Sequence, residues 1–220
     1  MMPHHHLDEA TIVGYSAGAL PDAFAVVVAA HLSICQRCRD SVGDADAIGG
    51  ALLAQPWEGA QPPAQAREAM LAKLASTPIE APFTPPAAPK VVDPDALPAA
   101  LHPYFGERFS ALRWKSVAPG MHIIRAANVS DGSLMLLRIA PGKSVPMHSH
   151  GGNELTMILR GSYQDGLGHF APGDVADLDS DVTHQPVTMP GGPCICVAAT
   201  DAPLRFEGWL ARMLQPLIKL

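Results

Sequence analysis

The sequence predicts a multidomain α plus β protein, and three successive textures along its 220 residues predict it. Residues 7–76 are rich in Ala, Leu and Val and read as helical. Residues 77–98 carry prolines at 78, 82, 85, 86, 89, 94 and 98, a density that neither a helix nor a central strand tolerates. Beyond them, short apolar runs alternate with Gly and Pro turns, the pattern of an antiparallel sandwich or barrel. The expected organisation is a small helical domain over 1–76, a Pro-rich, semi-rigid linker over 77–98, and a β domain with a C-terminal helical segment over 99–220.

Turn residues at Gly18-Ala19-Leu20-Pro21, Gly43, Gly49-Gly50 and Gln55-Pro56 divide the first region into about four short helices. Pro21-Asp22 suits the first turn of a helix running toward His31, since Pro loses no helical hydrogen bond there. A further helix is expected over Ala51–Ala54, starting as early as Ser41, and another over Pro63–Ala75. So small a bundle has a thin core and needs a cross-link.

The run His31-Leu32-Ser33-Ile34-Cys35-Gln36-Arg37-Cys38 supplies one, with two of the chain's four cysteines beside an imidazole. On a helix, steps of four and three residues at about 100° each keep the three side chains within roughly 60° of one face. If the helix breaks near Cys35, a Cys-x-x-Cys turn still converges on the same ion. Two thiolates and a neutral imidazole are a zinc ligand set, and a structural zinc takes four protein ligands. The opening Met1-Met2-Pro3-His4-His5-His6-Leu7 offers the fourth: spacing admits His4, His5 or His6, and His6 lies nearest the folded part. The competing readings, a redox Cys-x-x-Cys pair or buried apolar cysteines, require nothing of His31. A zinc ion at His6, His31, Cys35 and Cys38 would tie the N-terminus to the second helix.

In the third region, apolar runs at Met121–Ala126, Leu134–Ile139, Leu155–Leu159 and Cys194–Ala199 read as strands. Cys194 and Cys196 would share one face of a strand, with Cα atoms about 6.5 Å apart, poor geometry for a mutual disulfide. They are read as buried core residues. Phe206, Trp209, Leu210, Met213 and Leu217 recur at helical spacing, as in a helix packing back on its own domain.

A second metal constellation lies in Gly142-Lys143-Ser144-Val145-Pro146-Met147-His148-Ser149-His150-Gly151-Gly152-Asn153-Glu154. His148 and His150 point to one side of a strand, and Glu154 returns to that side after the Gly151-Gly152 bend. His184 ends a later segment that begins Ala171-Pro172-Gly173-Asp174. Three imidazoles and a carboxylate suit a divalent transition metal and leave positions open for water or a ligand.

Gly142, His148, His150, Glu154 and Gly161 resemble the first motif of the cupins, and Pro172, Gly173 and His184 the second. The interval before His184 is longer than in that motif, and Thr188 stands where it has an Asn. The resemblance implies a cupin jelly-roll β-barrel over roughly residues 100–200, with Zn2+ or another divalent transition metal inside. His6, His31, Cys35 and Cys38 resemble the ligand set of zinc-binding anti-sigma domains. Together the two halves are similar to the ChrR-type zinc-binding anti-sigma factors with a C-terminal cupin domain, along the whole chain and including Ala198–Phe206. That resemblance implies a transcription regulator rather than an enzyme. Its helical domain would sequester an extracytoplasmic-function sigma factor, and its cupin domain would be needed for release in response to singlet oxygen or a related oxidant.

Composition narrows the remaining classes. A formal net charge of −6 argues against direct nucleic-acid binding, which needs a basic surface. The apolar stretch Phe24–Ala30 is too short to span a bilayer, and no basic-then-apolar export signal opens the chain. Metal-holding thiols suit a reducing compartment, so the expected location is the cytoplasm. The competing class is a cupin metalloenzyme of dioxygenase type with a helical appendage, because the same ligands serve that chemistry. No separate general acid or base stands out near those ligands, and His102, His122 and His169 have no ligand-like company.

Overall fold

The computed structural model describes residues 2–55, 63–78 and 93–206, with the backbone alone at 150 and 204–206. Four helices come first: α1 (Glu9–Ser16), α2 (Asp22–Leu32), α3 (Gln36–Leu53) and α4 (Ala66–Ser76). Asp8 caps α1 by accepting from the Thr11 amide at 2.8 Å. Pro21 takes the capping position of α2 rather than its first turn. Cys35 caps α3, its Sγ accepting from the Cys38 amide at 3.5 Å. The glycines expected to break this stretch do not: α3 runs through Gly43, Gly49 and Gly50 without interruption. A helical glycine costs about 1 kcal/mol against Ala, but it ends a helix only where the chain needs a left-handed turn, and cooperative propagation carries α3 past all three.

A 3-10 turn (Ala99–Leu101) and α5 (His102–Phe105) lead into the barrel. The last residues of the predicted linker already belong to it: Ala96 pairs with Arg108, and Leu97 is buried. Residues 79–92 lie outside the described part. The strands are β1 (Lys115–Ala118), β2 (Met121–Arg125), β3 (Ser133–Ile139), β4 (His148–His150), β5 (Glu154–Arg160), β6 (Tyr163–Asp165), β7 (Gly168–Phe170), β8 (Val175–Leu178), β9 (Val187–Thr188), β10 (Cys194–Thr200) and β11 (Leu204–Phe206). They pair antiparallel into a six-stranded sheet in the order β1-β2-β3-β10-β5-β8 and two smaller sheets, β11-β4 and β7-β6-β9. Bridges His148–His184 and Ser144–Val187 join the small sheets into the opposing wall. Phe206 therefore ends a strand, while Trp209, Leu210, Met213 and Leu217 lie outside the described residues.

Both faces of the large sheet are buried along its central strands β3, β5 and β10, which explains why those strands read as continuous apolar runs. Alternate residues point inward: Thr156 and Ile158 from β5, and Cys194, Cys196 and Ala198 from β10. The intervening ones, Leu134, Leu136, Leu155, Met157, Val197 and Ala199, point outward and share one apolar cluster with Phe24, Val27 and Val28 of α2. Burying a valine completely contributes about 1.5–3 kcal/mol, and Val27 and Val28 are both wholly buried. The helices are thus fastened across the barrel wall; the Ala23 amide also donates to the Asp131 carbonyl at 3.1 Å. Close packing elsewhere excludes side chains: a Cβ at Gly161 (φ +67°) would sit 2.5 Å from the Pro193 carbonyl oxygen. No helix among the described residues is long and apolar enough to cross a membrane.

Candidate metal centres

The α2–α3 corner brings His31, Cys35 and Cys38 together, because α2 ends at Leu32 and α3 starts again directly after Cys35. The N-terminal segment adds His6. One donor atom from each of the four lies within 4.8 Å of all the others, the one such convergence among the described residues. The His6 Nδ1 is 3.3 Å from the Cys35 Sγ and 3.7 Å from the Cys38 Sγ, and the His31 Nε2 is 3.3 Å from the Cys38 Sγ. Tetrahedral zinc with ordinary Zn–S and Zn–N bonds would separate N from S by about 3.6 Å, within the range seen. Donor chemistry and spacing therefore both fit zinc. His5 does not share the site: its ring stacks on Phe170, and its Nε2 lies 3.1 Å from the His169 carbonyl oxygen.

Burial lowers the pKa of His31 and of His6, favouring the neutral imidazoles a metal requires. Burial likewise pushes the Cys38 thiol up to about 11, so metal binding there must release a thiol proton. The barrel supplies an outer layer that the sequence does not announce. The His31 Nδ1 donates to the Gly173 carbonyl at 2.9 Å, leaving Nε2 to face the thiols. The Asp174 carboxylate accepts from the backbone amides of His4 (2.6 Å), His5 (3.0 Å) and Ala171 (2.8 Å). Burial opposes its charge, but the amides of Ala171, His5 and His4 outweigh that and hold the carboxyl below the usual carboxylate range.

Inside the barrel, β4 and the segment before β9 place His148 and His184 opposite each other, both buried. Their Nε2 atoms are 3.2 Å apart, close to the roughly 3.3 Å expected for two imidazole nitrogens on one tetrahedral zinc. The His148 Nδ1 donates to the Pro146 carbonyl at 2.8 Å. The His184 Nδ1 bonds Asp165 Oδ2 at 2.9 Å, and both side chains are buried. Such backing fixes the tautomer with Nε2 turned to the cavity. Glu154 joins them on the cavity wall and accepts from the Thr156 hydroxyl at 3.0 Å. His150 follows His148 by two residues on β4, but its side chain lies outside the described residues.

The cavity has a volume of about 90 Å³ and a mostly apolar lining that includes Met135, Tyr163, Cys194 and Cys196. Burial raises Cys194 to about 12 and Cys196 well above its ordinary value, so both stay protonated and poorly nucleophilic. Asp165 and Asp174 back these donor clusters without any part assigned to them in the sequence reading, and Gly173 entered that reading only as a motif position. The only signal for Asp165 is its position two residues from Tyr163 on a short strand, which turns both inward.

Comparison with known proteins adds three findings. Residues 105–202 match the family described as the ChrR cupin-like domain. The chain is 37% identical over 220 residues to the anti-sigma-E factor ChrR of Cereibacter sphaeroides, covering 100% of both chains. It is also similar to the crystal structure of Rhodobacter sphaeroides SigE in complex with the anti-sigma ChrR, with a TM-score of 0.73 and 33% identity over 91% of this chain and 100% of that one. With the helical region, the His/Cys cluster and the barrel all inside this end-to-end likeness, the chain belongs to the ChrR family of anti-sigma factors.

Proposed function

We propose that the protein is a cytoplasmic, zinc-dependent anti-sigma factor that sequesters an extracytoplasmic-function sigma factor. It releases that factor in response to singlet oxygen or a related oxidant, and the cupin domain is needed for the response. The observation that carries the first half is the convergence of His6, His31, Cys35 and Cys38 in a chain similar throughout to an anti-sigma factor. When bound, zinc supplies a fixed tetrahedral cross-link and no redox chemistry. The chain's own residues do the rest: His31 and His6 join the N-terminal segment to the α2–α3 corner, and Cys38 anchors the first turn of α3.

Large apolar side chains left exposed on these helices support a protein partner. Ile48 and Leu52 lie one turn apart on α3, Met70 and Leu74 one turn apart on α4, and each is more than 60% exposed. These faces suit a sigma factor that binds through apolar contacts and so loses its access to RNA polymerase. The cavity with His148, Glu154 and His184 is the proposed sensing site, holding Zn2+ or another divalent metal with His150 as a further ligand. Full-length likeness to an anti-sigma factor favours this regulator over a cupin dioxygenase. Co-purification of the full chain with each extracytoplasmic-function sigma factor of its host, with and without Ile48→Asp and Leu52→Asp, tests the reading. Stable 1:1 capture that the substitutions abolish is expected; no capture by a folded, metal-loaded chain would overturn it.

A further inference from the structure

We propose that Asp174 and the Gly173 carbonyl are positioning groups for the N-terminal metal centre, so that the barrel itself holds two of the four ligands in place. The inference rests on the metal reading of His6, His31, Cys35 and Cys38 and goes beyond it, because it makes the strength of that centre a property of the barrel.

The four candidate ligands are held in two different ways. Cys35 and Cys38 are fixed by α3, one as its cap and the other in its first turn. His31 has a helix behind it but takes its ring orientation from elsewhere, and His6 has neither. His31 sits in the last turn of α2, and its ring is oriented by the Gly173 carbonyl, 142 residues away. His6 sits in an irregular segment before α1, and no helix or strand of its own directs it toward the thiols. The two residues before it are held instead: their amides converge on one Asp174 oxygen, and the His5 carbonyl accepts from the Val175 amide at 3.4 Å. His5 also stacks on Phe170 with ring centres 4.1 Å apart, and Phe170 stacks on Tyr163 at 4.8 Å. Since Tyr163 lines the barrel cavity, one short stretch from β6 to β8 links the cavity wall to the clamp.

Gly173 shows how close this contact is. At φ +99° it takes a conformation that favours glycine, and a Cβ there would lie 2.8 Å from Ile34, the residue before Cys35. The turn is pressed against the metal corner. Asp174, already committed to three amides, is the group whose loss frees the N-terminal segment while leaving every metal donor intact. Outer groups of this kind change metal affinity by about 10- to 100-fold.

The test uses the full-length chain with Co2+ as the probe, because thiolate-to-cobalt absorption reports the cysteine-containing centre. The band is assigned by its disappearance in the Cys35→Ser, Cys38→Ser double variant. Competition with a chromophoric chelator then measures affinity. Asp174→Ala should bind Co2+ about 10- to 100-fold more weakly than wild type while keeping the barrel folded. Asp174→Asn, which keeps one neutral acceptor oxygen and the side-chain volume, should lose less and serves if the alanine variant does not fold. Asp177→Asn weakens a different tie across the same interface, the Asp8 amide at 3.1 Å, and should bind Co2+ as wild type does. Wild-type affinity in a folded Asp174 variant, or an equal loss in Asp177→Asn, would overturn the assignment. A wild-type chain without the thiolate band would instead overturn the metal centre, and the proposal with it.

Discussion

The two constellations share a pair of imidazoles and differ in what completes and surrounds that pair. At the α2–α3 corner, two thiols and two imidazoles lie within 4.8 Å of one another, four donors that could fill the coordination of a structural zinc among themselves. In the barrel, two imidazoles and a carboxylate line an apolar chamber of about 90 Å³ that has room for water or a small molecule. Closure joins an ion to folding, whereas an open chamber lets chemistry arrive from outside. A shared imidazole pair therefore does not assign a role; the groups that complete it and the space left beside it do.

The largest expected effect breaks the closed centre. Structural zinc sites contribute about 10–16 kcal/mol of apparent binding free energy, comparable with or larger than the stability of a whole small domain. Cys35→Ser with Cys38→Ser should therefore abolish sigma-factor binding and reduce helical ellipticity, and removing the ion with a strong chelator should do the same to wild type. Retained helicity together with retained binding in the ion-free variant would sink the structural role.

Opening the comparison from the other side gives the next effect. His148→Ala removes a cavity donor and leaves the helical donors untouched. Sigma-factor affinity should stay within about 0.5 kcal/mol of wild type, the range for substitutions remote from an interface, while induction by singlet oxygen is lost. A reporter strain that still induces fully would take the barrel metal out of the mechanism.

How much of this was legible in the sequence also divides between the two regions. Three donors of the closed centre fall within eight residues, His31 to Cys38, so their convergence needs only local geometry. His148 and Glu154 were legible through motif spacing, and the strands Leu134–Ile139 and Leu155–Leu159 were located to within about two residues by their apolar runs. The contact between the regions was not legible. Asp174 reaches His4 across 170 residues, and no local pattern marks a carboxylate for backbone amides that distant. The Pro-rich stretch reads as a semi-rigid linker between two domains, and nothing in it signals that Val27 and Val28 pack on the outer face of β3, β5 and β10. A signal for that burial was present in Cys194–Ala199, an uninterrupted apolar strand, since a sheet with one face in water would alternate.

That shared core gives a smaller, sharper test. Val27→Ala deletes two methyl groups from a fully buried site and should cost about 2 kcal/mol, from transfer plus the cavity left behind. Because Val27 and the half-buried Trp114 belong to one apolar cluster, helical ellipticity and Trp fluorescence should shift together to lower denaturant. A helical transition that moves alone, with the fluorescence transition unchanged, would show that the two regions unfold as separate units.

The smallest expected effect concerns how far the closed centre's hold extends along α3. Cys38 is the only buried residue in this helix, so an ion at the corner would hold its far half by propagation, alongside the partly buried Val42 and Ala45 and the Ser16 hydroxyl, which donates to Asp46. Gly43 lies exposed in the middle of it, with open space where a Cβ would stand. Its conformation is helical, so alanine adds no strain and removes unfolded-chain freedom. Gly43→Ala should raise stability by about 0.5–1 kcal/mol, read as a higher denaturation midpoint with an unchanged slope. The gain should appear only in the metal-loaded chain, because propagation needs the fixed first turn that Cys38 provides. An equal gain after chelation would mean that α3 stands without the ion, and would move the boundary of the metal-held unit back to the Cys38 turn.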